Sequence, residues 1–466
     1  MTKNRLLWVL LSLLPTMLVG GCMADVADKG WQPMRPLGSD LAVYRPPVEA
    51  KDAATPPAAI EEPEGALTLR QALAAALLHN PELASVSWEV RKAEARALQA
   101  GLPPNPEIAF DLESLARPRV IETVLGMGQV IFLSDKLARQ KQAAALERDL
   151  AGWDYEAKRL SVFAETTQAF VALVAAQEKA ALAEELVGVS EKVLAVAAER
   201  VKSGKTPPVE EMRARVELGT VRILRERALH ETTAARRSLA AQWGSTSPRF
   251  ARAEGRLAPP ESIPTWDQLG ALVAQNPDVA RWAVEMQRRH ALTKLERARA
   301  IPDLTIGGGW KRETEKGGEG GTTRADGFTL GASIPLPLWD RNQGGIKESQ
   351  YGIAQAHHDS RAAQARVVRD LAEAYQSLAA AHAESQILSR DMLPEARKAF
   401  DATTEGYRYG KFPFLDVLDA QRTLFEVRSE HLEALAAFYT AAAHVEGLVG
   451  QSLESVRDPQ EKRQEQ

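Results

Sequence analysis

Two stretches of the chain alternate apolar residues with polar or small ones at the period of two that is typical of β-strands. In the first stretch, at residues 107–133, the apolar positions are Ile108, Phe110, Leu112, Ile121, Leu125 and Met127. In the second, at residues 303–337, they are Leu304, Ile306, Trp310, Phe328, Leu330, Ala332 and Ile334. Each stretch predicts a β-hairpin with one apolar face, as the wall of a membrane barrel requires. Two hairpins of a soluble sheet are the alternative interpretation.

The segment after the first hairpin has the apolar period of a coiled coil. It contains no proline between Pro118 and Pro207, and its apolar residues keep a 4,3 spacing that slips by one position midway. This pattern predicts a helix at residues 135–203, about 100 Å long at ~1.5 Å per residue. The predicted return helix, at residues 209–243, covers only part of that length. Residues 82–99 are the natural candidate to cover the rest.

The same plan recurs in the second half of the chain. Residues 340–409 predict a second long helix with a kink at Pro394, and residues 415–448 predict its return. A short helix opens each half, at residues 69–79 and 267–275. Both stop at an Asn-Pro pair, because the residue before a proline avoids helical geometry.

Matched motifs show that these halves are copies of one unit. The Asn-Pro pair at residues 80–81 recurs at 276–277, which is 196 positions later. The Gly-Lys-x-Pro motif at residues 204–207 recurs at 410–413, which is 206 positions later. The added length fits a glycine-rich loop in the second hairpin, where a repeat tolerates insertion.

The duplication sets the predicted domain boundaries. The first copy spans residues 65–264 and the second spans residues 265–450. Each copy contains a hairpin, a long helix, a tip and a return helix, with the tips at residues 204–208 and 410–414. A disordered tail is predicted at residues 451–466.

The N-terminus has the features of an export signal. Lys3 and Arg5 precede a short apolar run, which predicts a signal peptide at residues 1–21. The run ends in Leu-Val-Gly-Gly before Cys22, which resembles a bacterial lipobox, so Cys22 is the predicted lipid attachment site. An ordinary signal peptide cleaved elsewhere is the alternative. Residues 22–64 are rich in proline and predict an extended, lipid-anchored linker.

Composition and charge limit the kinds of partner and of membrane contact that the sequence favours. The 58 basic and 62 acidic side chains give a net charge of −4, so no basic surface favours nucleic acid. Cys22 is the single cysteine, so no disulfide can form within the chain. After the signal peptide we find no long uncharged apolar run, so a membrane would have to be crossed by strands. Four strands cannot close a barrel, so the chain would have to oligomerise.

The sequence contains no recognisable catalytic or metal-binding motif. Its eight histidines lack ligand spacing, and the adjacent His357 and His358 point away from each other on a helix. The glycine runs near residues 307 and 317 lack the Lys-Ser or Lys-Thr of a phosphate loop. We therefore expect no catalytic activity, no cofactor and no stable metal site.

Two further motifs carry a family resemblance. Residues 334–344 read Ile-Pro-Leu-Pro-Leu-Trp-Asp-Arg-Asn-Gln-Gly. Residues 406–410 read Gly-Tyr-Arg-Tyr-Gly, and residues 415–424 read Leu-Asp-Val-Leu-Asp-Ala-Gln-Arg-Thr-Leu. Together with the duplicated frame, they make about residues 67–450 resemble the TolC family of outer-membrane efflux channels. Within that family they are similar to the outer-membrane subunit of cobalt, zinc and cadmium efflux systems.

The resemblance implies a mainly α-helical protein with a membrane β-barrel. Three copies with four strands each would form a 12-stranded barrel in the outer membrane, continued by an α-helical tunnel across the periplasm. Heavy-metal cations such as cobalt, zinc or cadmium would pass through it passively to the exterior. A periplasmic adaptor protein would connect the homotrimer to a proton-driven RND pump in the inner membrane.

The resemblance also assigns roles to residues at the helical tips. The residues that would contact the adaptor are Gly204, Lys205, Pro207, Gly410, Lys411 and Pro413. The residues that would form the gate are Glu210, Tyr407, Asp416 and Asp419. In a trimer each carboxylate becomes a ring of three, which favours cations. For Glu210 and Asp416, the alternative is that a carboxylate suits the first turn of a helix.

One position departs from the family pattern, and two other functions stay open. Phe412 stands where the family members with the best-described gate have a basic residue, and the adjacent Lys411 is the candidate substitute. Within the channel class, the cargo could instead be drugs or other organic compounds. In another class, a periplasmic coiled-coil adaptor lipoprotein also has long antiparallel helices. Adaptors lack two hairpins at matched places in a duplicated frame.

Overall fold

The computed structural model describes residues 31–48, 62–114, 120–258, 261–316 and 321–457. The predicted signal peptide and Cys22 lie outside these ranges. In chain order the elements are β1 (Gly65–Thr68), α1 (Leu69–His79), α2 (Pro81–Gln99), β2 (Glu107–Ser114), β3 (Val120–Ile131), α3 (Lys136–Lys202), α4 (Pro208–Ala241), β4 (Phe250–Glu254), α5 (Trp266–Gly270), a 3-10 turn (Val273–Gln275), α6 (Pro277–Arg299), β5 (Leu304–Lys316), β6 (Thr322–Ser333), α7 (Gln343–Ile387), a π-helical segment (Leu388–Met392), α8 (Leu393–Arg408), α9 (Phe414–Val449) and α10 (Leu453–Arg457).

Two long helical rods form the body of the structure. The first rod is α3, whose 67 residues span about 100 Å at ~1.5 Å per residue. Its return helix α4 has 34 residues and covers only part of it. Helix α2 packs on α3 as predicted, and α6 and α9 of the second copy pack there as well. The long apolar seam of α3 is therefore covered by several shorter helices placed along it.

The second rod is interrupted, unlike the single kinked helix that the sequence predicts. A π-helical segment, Leu388–Met392, lies directly before Pro394. Proline has no N–H to donate, and its ring crowds the preceding turn. The N–H of Leu393 bonds instead to the carbonyl oxygen of Leu388, five residues back. The first rod has Gly188 at the equivalent position, 206 residues earlier, and stays α-helical.

The Asn-Pro pairs close the same corner in both copies. The side chain of Asn80 caps α2 by accepting the N–H of Leu83 at 2.9 Å, and its amide nitrogen donates to the carbonyl oxygen of Gln242 at 2.8 Å. Asn276 caps α6, and its amide nitrogen donates to the carbonyl oxygen of Leu448 at 2.9 Å. Each asparagine therefore ties the start of one helix to the end of the return helix in its own copy.

The two hairpins join in one four-stranded antiparallel sheet with the order β2-β3-β5-β6. One row across the four strands consists of Phe110, Leu125, Trp310 and Phe328. The neighbouring row on the other face consists of Ala109, Gly126, Gly309 and Thr329. Most of the large apolar side chains are exposed, up to 93% for Leu330. One face of the sheet is thus largely apolar and uncovered, and the other carries small residues together with charged ones such as the paired Lys311 and Glu122.

Three short elements were not predicted. Strand β1 pairs in parallel with β4, and Phe250 of β4 packs with buried Trp243 in one apolar cluster. The helix predicted at residues 267–275 is divided into α5 and a 3-10 turn. The predicted disordered tail begins instead with α10, which buries Leu453 and Val456 against the second copy.

One segment of α3 is apolar enough to cross a membrane by length and composition. This differs from our expectation that no such run follows the signal peptide. The helix is an interior one, because 56% of that 18-residue stretch is buried within the chain. Its apolar character is explained by packing between the two copies.

Residues 31–48 form an extended strap that packs into the helical core. Leu37 is buried in a cluster with Leu77 and Phe163. The N–H of Leu37 donates to the carbonyl oxygen of Gly450, just after α9, at 3.0 Å. The N–H of Tyr44 donates to the carbonyl oxygen of Leu77 in α1, also at 3.0 Å. This part of the predicted linker therefore bridges the first and the last helices of the duplicated unit.

A buried ion pair on α3 holds the strap. Arg159 and Glu156 are 0% and 1% exposed, and Nε of Arg159 lies 2.8 Å from Oε2 of Glu156. Glu156 also accepts the backbone N–H of Arg35 at 2.6 Å. Arg159 also donates to the carbonyl oxygens of Leu37 and Arg35, at 2.8 and 3.2 Å. Each buried charge is therefore paired and hydrogen-bonded, which is the condition for tolerating it in a core.

We expect Arg159→Met to destabilise the protein strongly. The variant leaves the Glu156 carboxylate buried without Arg159, its paired cation. It also removes the two hydrogen bonds that Arg159 donates to carbonyl oxygens of the strap. Breaking a buried pair in this way costs about 3–5 kcal/mol. The matched control is the double variant Glu156→Gln/Arg159→Met, which leaves no buried charge and should lose clearly less. The midpoint of guanidinium unfolding measures both. Equal losses for the single and double variants would contradict the assigned role of the ion pair.

Candidate functional site

The two tips have the same backbone design. Helix α3 ends two residues before Gly204, whose φ is +70°, and α8 ends two residues before Gly410, whose φ is +77°. This conformation costs glycine little. In each turn the residue after the glycine donates its N–H to the carbonyl oxygen of the residue five positions earlier, which closes the helix end. These bonds are Lys205 N–H to Arg200 O, 2.9 Å, and Lys411 N–H to Gly406 O, 2.8 Å. The repeated Gly-Lys-x-Pro motif is therefore a helix-ending turn.

A proline restarts the helix on the far side of each turn. Pro207 precedes α4 and Pro413 precedes α9, both with extended backbone. The carbonyl oxygens of these prolines accept the N–H groups of Glu210 and Asp416, at 3.1 and 3.2 Å. Both acidic residues thus lie in the first turn of a return helix, where a carboxylate suits the helix dipole.

Tyr407 is the centre of a buried cluster that joins the two tips. It is 3% exposed, and its ring centroid lies 5.6 Å from that of Phe414. The other buried members come from both copies and are Val193, Ala197, Ala214 and Val417. The tips of the two rods are therefore packed on one shared apolar core within a single chain.

Polar contacts tie Tyr407 to the first tip from two sides. Its hydroxyl donates to Oε2 of Glu210 at 3.1 Å. Arg200 donates to the carbonyl oxygen of Tyr407 at 2.9 Å, and its guanidinium lies 4.6 Å from the centre of the tyrosine ring. Tyr407 and Glu210, two of the predicted gate residues, are thus in direct contact. We name the three residues Arg200, Tyr407 and Glu210 the tip latch.

The phenol of Tyr407 stays protonated at any physiological pH. Burial, with a further effect of the nearby Glu210 carboxylate, raises the pKa of Tyr407 to about 12. The hydroxyl is therefore a lasting hydrogen-bond donor. Its contribution to stability is complete below the ordinary pKa of tyrosine, about 10, and is lost only as the pH rises toward the raised value.

Sequence reasoning missed Arg200, although the repeat contains a signal for it. The position equivalent to Arg200 in the second copy is Gly406. A Cβ at Gly406 would lie 2.2 Å from the ring of Phe412, so the glycine gives that ring its place. The two departures from the duplicated pattern are therefore linked: one tip has an arginine, and the other has a phenylalanine seated on a glycine.

The remaining predicted site residues lie on the surface of the single chain. Asp416 and Asp419 are exposed, and the carboxylate of neither forms a hydrogen bond or ion pair with the described residues. The side chains of Lys205 and Lys411 are also exposed and form none within the same ranges. Lys411, the candidate substitute for a basic residue at position 412, is thus not part of the tip latch. Pro207 and Pro413 are exposed beside them.

Metal-ligating side chains are scattered. Among the residues that the structure describes, no group of three or more His, Cys, Asp or Glu side chains is arranged to hold a metal ion. The arrangement at the tips can therefore position helices and present carboxylates, and it supplies no nucleophile with a base.

Comparison with known proteins identifies the family. The model of the outer membrane efflux protein family matches residues 72–245 and again residues 269–451, once for each copy of the duplicated unit. The chain belongs to this family of outer membrane efflux proteins. The resemblance that the sequence motifs carry is confirmed, and the protein is an outer-membrane efflux channel component rather than an enzyme.

Relatives of known name span most of the chain. It is 34% identical over 419 residues to the cobalt-zinc-cadmium resistance protein CzcC of Cupriavidus metallidurans, covering 89% of this chain and 98% of that protein. It is 24% identical to the pyoverdine export outer membrane protein OpmQ of Pseudomonas putida, covering 80% and 85%. The crystal structure of CusC has a TM-score of 0.68 at 16% identity, covering 88% and 99%. The fold is therefore that of the family's channels over nearly the whole structure.

We expect Tyr407→Phe to loosen the tip core without unfolding the protein. The ring and its packing on Phe414 remain, but the hydrogen bond to a charged partner is lost, which is worth roughly 1.5–3 kcal/mol. A cysteine introduced at the buried Ala197 should then react with a maleimide about tenfold faster or more. The ratio between variant and parent should be the same at about pH 6 and about pH 8, because the raised pKa keeps the phenol protonated.

Tyr409→Phe is the matched control for this measurement. Tyr409 lies two residues away and is 74% exposed, so losing its hydroxyl should leave the labelling rate unchanged. Equal rates for the Tyr407 variant and the parent would show that the hydroxyl contact with Glu210 does not hold the tips.

Proposed function

We propose that the protein is the outer-membrane channel subunit of a tripartite, proton-driven efflux system that exports heavy-metal cations. The cations, of the cobalt, zinc and cadmium class, pass passively from the periplasm to the exterior. The observation that carries this proposal is the similarity to CzcC along almost the full length of both chains. Energy would come from an inner-membrane RND pump that a periplasmic adaptor protein connects to the channel.

We infer that three copies form the pore. The apolar face of the four-stranded sheet is uncovered in one chain, and β2 and β6 are its two open edges. An open edge cannot be left in the hydrocarbon region of a membrane, because its N–H and C=O groups would have no partners. Pairing β6 of each copy with β2 of the next closes a 12-stranded barrel. The row of small residues with Gly126 and Gly309 would then face the lumen.

The strap supports the proposed lipid anchor at Cys22. Gln32 at its start donates to the carbonyl oxygen of Asp149 in α3, at 3.1 Å. Asp149 lies 13 residues, or about 20 Å, from the start of α3 beside the sheet. Eight residues separate Cys22 from Trp31, and these nine residue steps can span at most about 30 Å. A lipid at Cys22 could therefore reach the membrane at the near end of the sheet.

The tips are the proposed entrance and adaptor contact. The predicted contact residues Gly204, Lys205, Pro207, Gly410, Lys411 and Pro413 lie on the two exposed turns. The tip latch would hold the entrance closed by fixing the two tips of each chain to each other. In this arrangement Arg200 supplies the cation that the family pattern has at position 412. Asp416 and Asp419 would form rings of carboxylates across the pore.

Of the two alternative functions, one is excluded and the other stays the second candidate. The adaptor alternative is excluded, because the chain belongs to the outer-membrane component family. Export of an organic compound stays the second candidate, because the relative OpmQ is named for pyoverdine export. The lower identity and coverage of that match favour metal cations as the cargo.

Deleting the gene in its host tests the cargo. We expect growth to fail at lower zinc, cobalt or cadmium concentrations, by roughly tenfold, while tolerance of lipophilic drugs and dyes stays the same. Re-expression of the intact gene is the control and should restore growth. Sensitivity to drugs alone would replace the metal proposal with export of organic compounds.

The carboxylate rings predict a selectivity change. In planar bilayers we expect Asp416→Ala/Asp419→Ala to lower the preference for cations over anions by roughly tenfold, because six charges leave a narrow pore. The matched control is Glu426→Ala/Glu430→Ala, which removes the same charge from exposed positions further along α9. An unchanged preference in the first variant would show that these carboxylates do not line the constriction.

A further inference from the structure

A cavity of about 660 Å³ lies between the two rods, away from the tips. Its walls come from α3, α8 and α9 and from the loop after β4. Cavities of this size hold small molecules of drug-like dimensions. Nothing in the proposed conduction pathway accounts for it.

The cavity forms where the second rod is interrupted. Leu393 and Pro394, the first residues of α8, line it directly after the π-helical segment. An inserted π turn shifts the direction of the side chains that follow, and such turns are frequent at functional sites. The continuous α3 forms the opposite wall. The π-helical interruption, which distinguishes the second rod from the first, therefore lies beside this cavity.

The lining combines an apolar surface with cationic groups. Leucine side chains from α3 and α9 provide the apolar part, among them Leu182, Leu424 and Leu435. Three arginines, Arg256, Arg397 and Arg428, provide the cations. Arg428 is held by Glu185 at 2.8 Å.

The other two arginines are more available. Arg397 lies 3.8 Å from Asp401, and both side chains are about two-thirds exposed, at 68% and 65%. A pair of this kind contributes little and is readily exchanged for another anion. Arg256 is exposed in the loop after β4, which also lines the cavity. Two guanidinium groups thus face the cavity from different elements.

Titratable groups with shifted pKa values also line this cavity. Burial raises the pKa of Glu178, against the opposing effect of the Leu257 N–H and of Arg256, and burial lowers the pKa of His431. The Nδ1 atom of His431 is buried without a hydrogen-bond partner in the described structure. Shifted groups gathered in one cleft are typical of binding sites.

We propose that this cavity binds an amphiphilic anion. The apolar body of such a ligand packs against Leu182, Leu424 and Leu435. Its carboxylate or phosphate group pairs with Arg256 and Arg397, whose planar guanidinium groups match both anions. Since the walls belong to both copies of the duplicated unit, a bound ligand joins α3 to α8 and α9 beside the π-helical segment. The proposal is independent of which cargo the channel exports.

Binding of a fluorescent fatty acid to the full-length protein tests the proposal. The probe is dansylundecanoic acid, added to the purified protein in nanodiscs, with empty nanodiscs as the blank. We expect saturable binding that decanoate displaces. Decanol and acetate should not displace the probe, because decanol lacks the anionic group and acetate lacks the apolar chain. Arg256→Gln/Arg397→Gln should weaken probe binding about tenfold or more. Both residues are exposed, so the fold should tolerate the change.

Two further variants locate the site. Ala181→Trp places a large side chain on the cavity wall at an exposed position of α3 and should abolish binding. Arg361→Gln/Arg369→Gln removes the same charge from exposed positions on α7, outside the cavity, and should bind the probe like the parent. Equal binding by all variants would overturn the proposal, as would displacement by decanol as effective as by decanoate. An absence of saturable binding would overturn it too.

A second competition experiment distinguishes a membrane lipid from a free amphiphile as the source of the ligand. Lysophosphatidylglycerol and decanoate carry the same chemistry, from a membrane lipid and from a free amphiphile. Displacement by either one supports the site, and the stronger competitor identifies the source. The readout is binding to the protein, so the result stands apart from the outcome of the growth and conductance measurements.

Discussion

A helix of about 100 Å with an apolar seam along its whole length cannot stand alone in water, and the rest of the structure follows from covering that seam. The return helix α4 is too short to do so. Helices α2, α6 and α9 cover the remainder, and two of these come from the other copy. The first copy of the duplicated unit is therefore incomplete without the second. The duplication is a structural necessity as well as a trace of the chain's history.

Polar contacts decide where these helices meet. Apolar packing along a rod allows sliding by one turn, whereas the asparagine corners and the Glu156–Arg159 pair each satisfy buried groups in one register only. The tip latch has the same character at the far end, where Tyr407 contacts Glu210 and Arg200 from the other tip. The rods are fixed at the asparagine corners, at the strap and at the tips, and lengths of helix lie between these points. The cavity lies along one such length, beside the π-helical segment.

Periodicity predicted the elements that are long and one-sided. Both hairpins, both rods and their returns can be derived from the spacing of apolar residues, prolines and glycines, and Pro394 marks where the second rod is interrupted. What periodicity misses depends on distant partners. Strands β1 and β4 are too short to show a pattern, and residues 31–48 have no period at all, although Leu37 is buried. At the tips, motif similarity predicted Tyr407 and Glu210, but the contact with Arg200 becomes visible only when the two copies are folded together.

The strap has a mechanical consequence. Its Leu37 is bonded to Gly450, after the last long helix, while Tyr44 is bonded to Leu77 in the first helix of the duplicated unit. The strap is thus hydrogen-bonded both to the first helix of the duplicated unit and to the residue that follows its last long helix. Tension applied at the N-terminus is shared by both copies at their common seam rather than peeling one helix from its end. Such a closure gives the folded chain resistance to being pulled apart.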